Sequence, residues 1–285
     1  MSIQSPSPQR DDRSNYTHAF PAQSGKLALI DAQQKTIVAK QGADATLWST
    51  IIKRLRTDWT YHSNTIEGST LSRGETHFFL TEGLTVEGKP FKDFVDAKNH
   101  AEAIDYLFAV VADKQPISEG LIKDINALLL RGVESTPAKN EFGQLVQKKA
   151  HPGQYKVLPN HVEQPDGTIH RYVEPIYVKD QMETLISWVN TAIEHSHPIH
   201  VAAVAHYNLV RIHPFDDGNG RGARILMNLI LLKSGYFPAV IRVETKRRYL
   251  EALTGADRGD LMPFIDFVAD ATLTTQQSVL DVLTH

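Results

Sequence analysis

Between His213 and Arg224 the chain reads HPFDDGNGRGAR, and this stretch holds a proton acceptor, hard oxygen ligands and two cations. His213 titrates near neutrality, so it can take the proton of a hydroxyl nucleophile. Asp217 is a hard carboxylate of the kind that holds Mg²⁺ where the metal bridges phosphates. Gly218 and Gly220 permit positive φ and close backbone approach, and Asn219 tolerates left-handed geometry. Arg221 and Arg224 lie three apart, so on a helix they project from one face of the first turn. Two guanidiniums beside the free amides of a helix N-terminus would bind a polyphosphate. Cations there oppose the helix macrodipole at a cost of ~0.3–1 kcal/mol each, which argues for function over stability. Phe215, two residues after the histidine, is expected to point into the core and fix the loop.

The flanking pattern predicts the elements that position this loop. A helix over 198–212 must stop before Pro214, because the residue preceding proline is disfavoured in the α region. A second helix, 221–234, begins after Gly218-Asn219-Gly220 and ends near Gly235. Leu47, Trp48, Ile51, Leu55, Trp59 and Ile66 form an apolar stripe that predicts a helix from Asp44 to about residue 62. Ser72 and Glu75 have capping-box spacing and start a helix ending near Gly83. Further helices are expected at 93–112, 118–131, 179–195, 245–256 and 260–282. Two β-prone runs, about Tyr155–Val162 and Thr168–Val173, flank the turn signal Pro165-Asp166-Gly167. The chain therefore reads as all-α with one small β-hairpin. An isolated hairpin is marginal in water, so its presence suggests a job, such as covering a site or receiving another chain by edge pairing. Residues 1–25, rich in Ser and Pro, read as a mobile tail.

Composition bounds the function classes. The 285 residues carry 30 Lys plus Arg against 33 Asp plus Glu, a net charge of −3, and no cysteine. That balance argues against a general nucleic-acid binder. The absence of cysteine excludes disulfides, thiolate zinc sites and a thiol nucleophile. No apolar run approaches the roughly 20 residues that span a bilayer, and the first residues hold no apolar leader core, so a cytoplasmic location and no membrane contact are expected. Five histidines, His195, His197, His200, His206 and His213, crowd together without zinc-ligand spacing; His206 instead reads as a buried hydrogen-bonding group. Lys246-Arg247-Arg248 reads as a solvated helix face and not as a nucleic-acid patch.

HPFDDGNGRGAR resembles the Fic family motif HxFx[D/E]GNGRxxR at every specified position. The neighbouring segments HPIHVAAVAHYNLVRI, ARILMNLILLKSGYFPAVIR and LMPFIDFVADAT are also similar to Fic domains, so the resemblance covers roughly residues 45–275. It implies an all-helical fold with a flap hairpin at about 153–175 beside the active loop. The implied activity is transfer of AMP from ATP to a Ser, Thr or Tyr hydroxyl of a target protein, or of the chain itself. By matching position, His213 is the general base and Asp217 holds Mg²⁺ (or Mn²⁺) between the α- and β-phosphates. Gly218, Asn219 and Gly220 form the anion nest, Arg221 contacts the phosphates and Arg224 orients the γ-phosphate. Tyr249 falls where relatives place an aromatic near adenine. The 155–173 hairpin resembles the flap on which the target docks.

A second segment, Ser63-Asn-Thr-Ile-Glu67-Gly68, resembles the family's inhibitory pattern [S/T]xxxE[G/N]. It implies that Glu67 pairs with Arg224 and blocks productive ATP. The implied organisation is a tail (1–25), a helical segment with the inhibitory motif (26–92) and a catalytic domain (93–285), packed as one unit, with a homodimer as a further partner. Alternatives on the same site are AMP removal, transfer of another phosphate-containing group, or a non-catalytic nucleotide-binding module.

Overall fold

The computed structural model describes residues 16, 24–41, 44–139, 144–163, 167 and 169–284. Two helices lie at its centre, α7 (Pro198–Ile212) and α8 (Asn219–Lys233), packed on each other and joined by the loop 213–218. Both are buried along almost their whole circumference, as expected of helices with apolar residues all round. The sequence around them supplies eight further helices among the described residues: α1 (Ser24–Lys40), α2 (Ala45–Ile66), α3 (Arg73–Glu82), α4 (Phe91–Ala112), α5 (Glu119–Leu129), α6 (Pro175–Ala192), α9 (Lys246–Asp257) and α10 (Met262–Thr284). Helices α4 and α5 pack on α8, α6 packs on α7, and α10 lies across α7, α9 and α1. The all-helical expectation holds.

Local chemistry explains most boundaries. Asp44 caps α2 by accepting from the amides of Thr46 and Leu47, each at 2.9 Å. Ser72 and Glu75 close the expected capping box of α3, and Gly83 ends it in the left-handed region at φ 72°. Helix α2 runs to Ile66, beyond the expected 62, because its last turn is held from outside. Ser63 and Asn64 are buried there, and Lys246 donates to the Ile66 carbonyl at 2.7 Å. Helix α1 begins inside the stretch read as a tail. Its apolar signal is sparse, and it is fixed by distant partners: Lys26 pairs with Asp266 and Asp270, and Gln34 accepts from the Phe237 amide at 3.1 Å. The rest of the expected tail, apart from Tyr16 against Trp188, lies outside the described residues.

The flap is present but shorter than the pattern predicts. Strands β3 (Val162–Glu163) and β4 (Ile169–His170) pair antiparallel with Val162 opposite His170. Pro165 and Asp166 of the expected turn lie outside the described residues. Residues 155–161 do not continue the strand, because Lys156 and Asn160 spend their hydrogen bonds on the 213–218 loop. A separate hairpin that the sequence reading did not anticipate, β1 (Ser135–Lys139) with β2 (Leu145–Lys149), precedes it in antiparallel register. Among the described residues no helix is long and apolar enough to cross a membrane.

Candidate active site

The loop between α7 and α8 is closed by its own side chains and by α5. Asn219 accepts from the Phe215 amide and donates to the Phe215 carbonyl, both at 2.9 Å. Asn126 of α5 donates to the Asp217 carbonyl at 2.9 Å and accepts from the Gly153 amide at 2.9 Å. Gly218 sits at φ 77°, and a Cβ there would meet the Asn126 amide nitrogen at 3.1 Å. Thus Gly218 is required both by backbone hand and by space. Phe215 is buried, as expected. Asp216 accepts from Lys148 at 2.5 Å and lies 3.0 Å from His151 Nδ1, tying the β1–β2 hairpin to the loop; those partners hold its carboxyl below the ordinary range against the opposing effect of burial.

The histidine–proline pair sets the state of the imidazole. His213 caps α7 at φ 50°, and its amide donates to the Leu209 carbonyl at 3.0 Å. The Val210 carbonyl would ordinarily accept from the amide of residue 214, but proline has none. His213 Nδ1 takes that acceptor instead, at 3.3 Å. A carbonyl can only accept, so Nδ1 carries the proton and Nε2 keeps a free lone pair. Burial, then the nearby Lys156 charge, push the imidazole down to about 3 against the opposing effect of the Val210 bond, so His213 is neutral at physiological pH. Tyr172, just after β4, stacks on the ring with centroids 3.7 Å apart. Neither Asn126 nor Tyr172 was singled out from the sequence, since nothing local marks them.

In front of the histidine lies a cavity of about 340 Å³, lined by His213, Asp217–Arg221, the end of α2 and the start of α4. Arg221 and Arg224 are both buried, as neighbours on the first turns of α8. Arg221 donates to Asp96 at 2.9 Å, and Asp96 also pairs with Lys92. Arg224 donates to Glu67 at 2.7 Å, to the Ser63 hydroxyl at 2.9 Å and to the Ser63 carbonyl at 3.0 Å. A Cβ on Gly220 would come within 2.5 Å of Glu67 Oε1, so the carboxylate rests directly on the N-terminal turn of α8. Burial alone would raise the Glu67 carboxyl, but Arg224, Arg221 and Lys246 hold it below its ordinary value. An anion therefore already occupies the dipole-and-guanidinium site. The side-chain amide of Asn64, buried on the cavity wall, finds no partner among the described residues, which leaves it available to a ligand.

The structure brings His213, Asp217, Gly218, Asn219, Gly220, Arg221, Glu67 and Gly68 to this one cavity. Ser63 and Arg224 stand directly behind it. Tyr249 does not line it: the ring is buried against Phe264 and Phe267, and its hydroxyl lies 3.1 Å from His206 Nε2. His206 is thus the buried hydrogen-bonding group expected. Among the described residues no three His, Cys, Asp or Glu side chains gather as a metal-binding group. Asp217 offers one carboxylate to the cavity, which suits Mg²⁺ only as a metal whose remaining ligands are phosphate oxygens and water. Of the Lys246–Arg248 cations, Arg247 lies on the solvated face with its side chain 91% exposed, while Lys246 donates to the Ile66 carbonyl and Arg248 pairs with Asp266 and Asp270.

Comparison with known proteins gives a consistent result. The profile of the Fic/DOC family matches residues 116–231. A protein adenylyltransferase, fic-1, of Caenorhabditis elegans is 32% identical over 228 residues, 78% of this chain and 41% of that protein. The protein adenylyltransferase Fic of Nematostella vectensis is 34% identical over 226 residues, 77% and 48% of the two chains. The chain thus spans less than half the length of these curated relatives. Among solved structures, a Fic domain containing signaling protein from Bacteroides thetaiotaomicron superposes with a TM-score of 0.79 at 26% identity, covering 91% of this chain and 97% of that one. Fic-1 of C. elegans, residues 134 to 508, superposes with a TM-score of 0.75 at 26% identity, covering 91% and 72%. Loop, fold and relatives agree, and the chain belongs to the Fic/DOC family.

Proposed function

We propose that this chain is a protein adenylyltransferase that moves AMP from ATP to a hydroxyl of a target protein and is restrained by Glu67. The observation that carries the reading is the anion pocket at the α8 N-terminus, faced by a histidine with a free Nε2 and filled by the Glu67 carboxylate. The target hydroxyl attacks the α-phosphorus; the new P–O bond forms as the bond to the β-phosphate oxygen breaks, and pyrophosphate leaves. His213 Nε2 accepts the hydroxyl proton. The Gly220 backbone and Arg221 hold phosphate oxygens, and Arg224 takes the γ-phosphate once Glu67 withdraws. Asp217 would hold Mg²⁺, which supplies charge neutralisation between phosphates.

Exposed apolar side chains on and beside the flap, Val157, Leu158, Val162 and Ile169, support docking of a protein target there. Glu67 restrains the reaction by competing for Arg224, and a tenfold change in occupancy needs only ~1.4 kcal/mol. Label transfer from α-labelled ATP with magnesium tests the reading. Glu67→Gly is expected to label targets, or itself, at least about tenfold more than wild type. Absence of label in both, with ATP bound, would leave a nucleotide-binding module instead.

A further inference from the structure

One short segment, 156–160, holds the backbone on both sides of His213. The Lys156 amide donates to the Pro214 carbonyl at 2.8 Å, and Lys156 Nζ donates to the Ile212 carbonyl at 3.4 Å. Asn160 Nδ2 donates to the Phe215 carbonyl at 2.9 Å, while its Oδ1 accepts from Lys156 Nζ at 2.7 Å. Lys156 is 2% exposed, and among the described residues no carboxylate pairs with it. A buried ammonium held only by neutral oxygens costs stability, so its placement calls for another explanation. The Tyr172 ring supplies one. Its centroid lies 5.8 Å from Lys156 Nζ and 3.7 Å from the His213 ring centroid, so one aromatic ring links the cation to the imidazole.

We propose that Lys156 is the positioning residue of His213: with Asn160 it fixes the backbone that carries the base, and with Tyr172 it keeps the imidazole neutral with Nε2 free. The inference rests on the adenylyl-transfer reading for its kinetic consequence, but not for its structural one. Burial pushes the ammonium itself down to about 7, so it retains charge on the acid side of neutrality, where His213 would otherwise be protonated. The other titratable or charged groups near the imidazole are His170 and Tyr172 on the flap, Asp217 on its own loop, and Glu67, Asp93, Asp96, Lys92 and Arg221 around the cavity. Glu174 and Asp216 act on Lys156 from the other side.

Nuclear magnetic resonance titration of the His213 ring in the full chain, assigned with His213→Ala, tests this directly. Wild-type His213 is expected to stay neutral down to about pH 5, and Lys156→Met to raise its midpoint by about one unit or more, with Lys156→Arg restoring it. In the Glu67→Gly background, Lys156→Met is expected to lower kcat about tenfold or more with KM for ATP nearly unchanged, and to move the acid limb of kcat upward. A folded Lys156→Met chain with an unmoved His213 midpoint overturns the proposal. Should that variant not fold, Asn160→Ala, which leaves the charge in place, must lower kcat at constant KM, and an unchanged kcat overturns it. If Glu67→Gly itself transfers no label, the functional reading fails while the titration still decides the role of Lys156.

Discussion

The two walls of the cavity use the same chemistry to different ends. On the α4 wall, Asp96 holds Arg221; on the α2 wall, Glu67 holds Arg224. The Asp96 side chain is 8% exposed, sits inside a helix and is shared with Lys92, whereas that of Glu67 is 43% exposed and caps a helix just before Gly68 at φ 101°. Removal of Asp96 strands a buried guanidinium. Removal of Glu67 does not, because Arg224 keeps the Ser63 hydroxyl and carbonyl. The α4 pair is therefore buried within the scaffold, whereas the α2 pair has its carboxylate at a partly exposed helix end. Partner burial and backbone anchoring, not the identity of the ion pair, make the difference.

Both walls matter only if the base between them works. His213→Ala should lower label transfer by about 10²–10⁴-fold while leaving ATP binding in place. The walls themselves are separated by Asp96→Ala and Glu67→Gly. The first should lose about 3–5 kcal/mol of stability in denaturant and lose transfer with it. The second should gain transfer, and ATP should stabilise it more than wild type. Equal losses from both would collapse the distinction.

Acid should weaken the two walls in order. His100, on α4, is buried near Arg221 and Arg224, and burial followed by those charges holds it well below 6.5. The unfolded chain then binds the extra proton, so stability falls as pH drops below about 6.5, by ~1.4 kcal/mol per pH unit for this group. The Glu67 carboxyl is shifted below 4.5, so its contribution is present above that value and is lost only at lower pH. Denaturation midpoints across pH 4 to 7 should fall in wild type and less steeply in His100→Phe. The smallest effect belongs to Tyr249→Phe. Its buried hydroxyl meets His206, so about 1 kcal/mol of stability should go with little change in KM for ATP. A large rise in KM would instead support Tyr249 as the aromatic beside adenine.

Legibility from the sequence followed the range of the forces involved. The boundaries of α3 and α7 were readable because a capping box, a left-handed glycine and a proline act over a few residues. The loop from His213 to Arg224 was readable because its groups are contiguous. The first two residues of α1 and the last turn of α2 lie beyond the local pattern because residues some 180 to 240 positions away hold them, as Lys246 holds Ile66 and Asp266 holds Lys26. The same distance hid Asn126, which braces the loop across 91 residues, and Tyr172, which stacks on the base.

By itself the sequence determined which groups meet: a histidine, carboxylates, glycines and arginines compressed at one helix start, in a chain with no cysteine. It also determined part of the tautomer, since Pro214 removes the amide that would have taken the Val210 carbonyl. Only the tertiary structure decided which of the two arginines meets a buried carboxylate and which meets a partly exposed one. That outcome depends on how deeply each partner is buried and on what else surrounds the guanidinium, and desolvation is a property of packing that no local pattern of residues encodes.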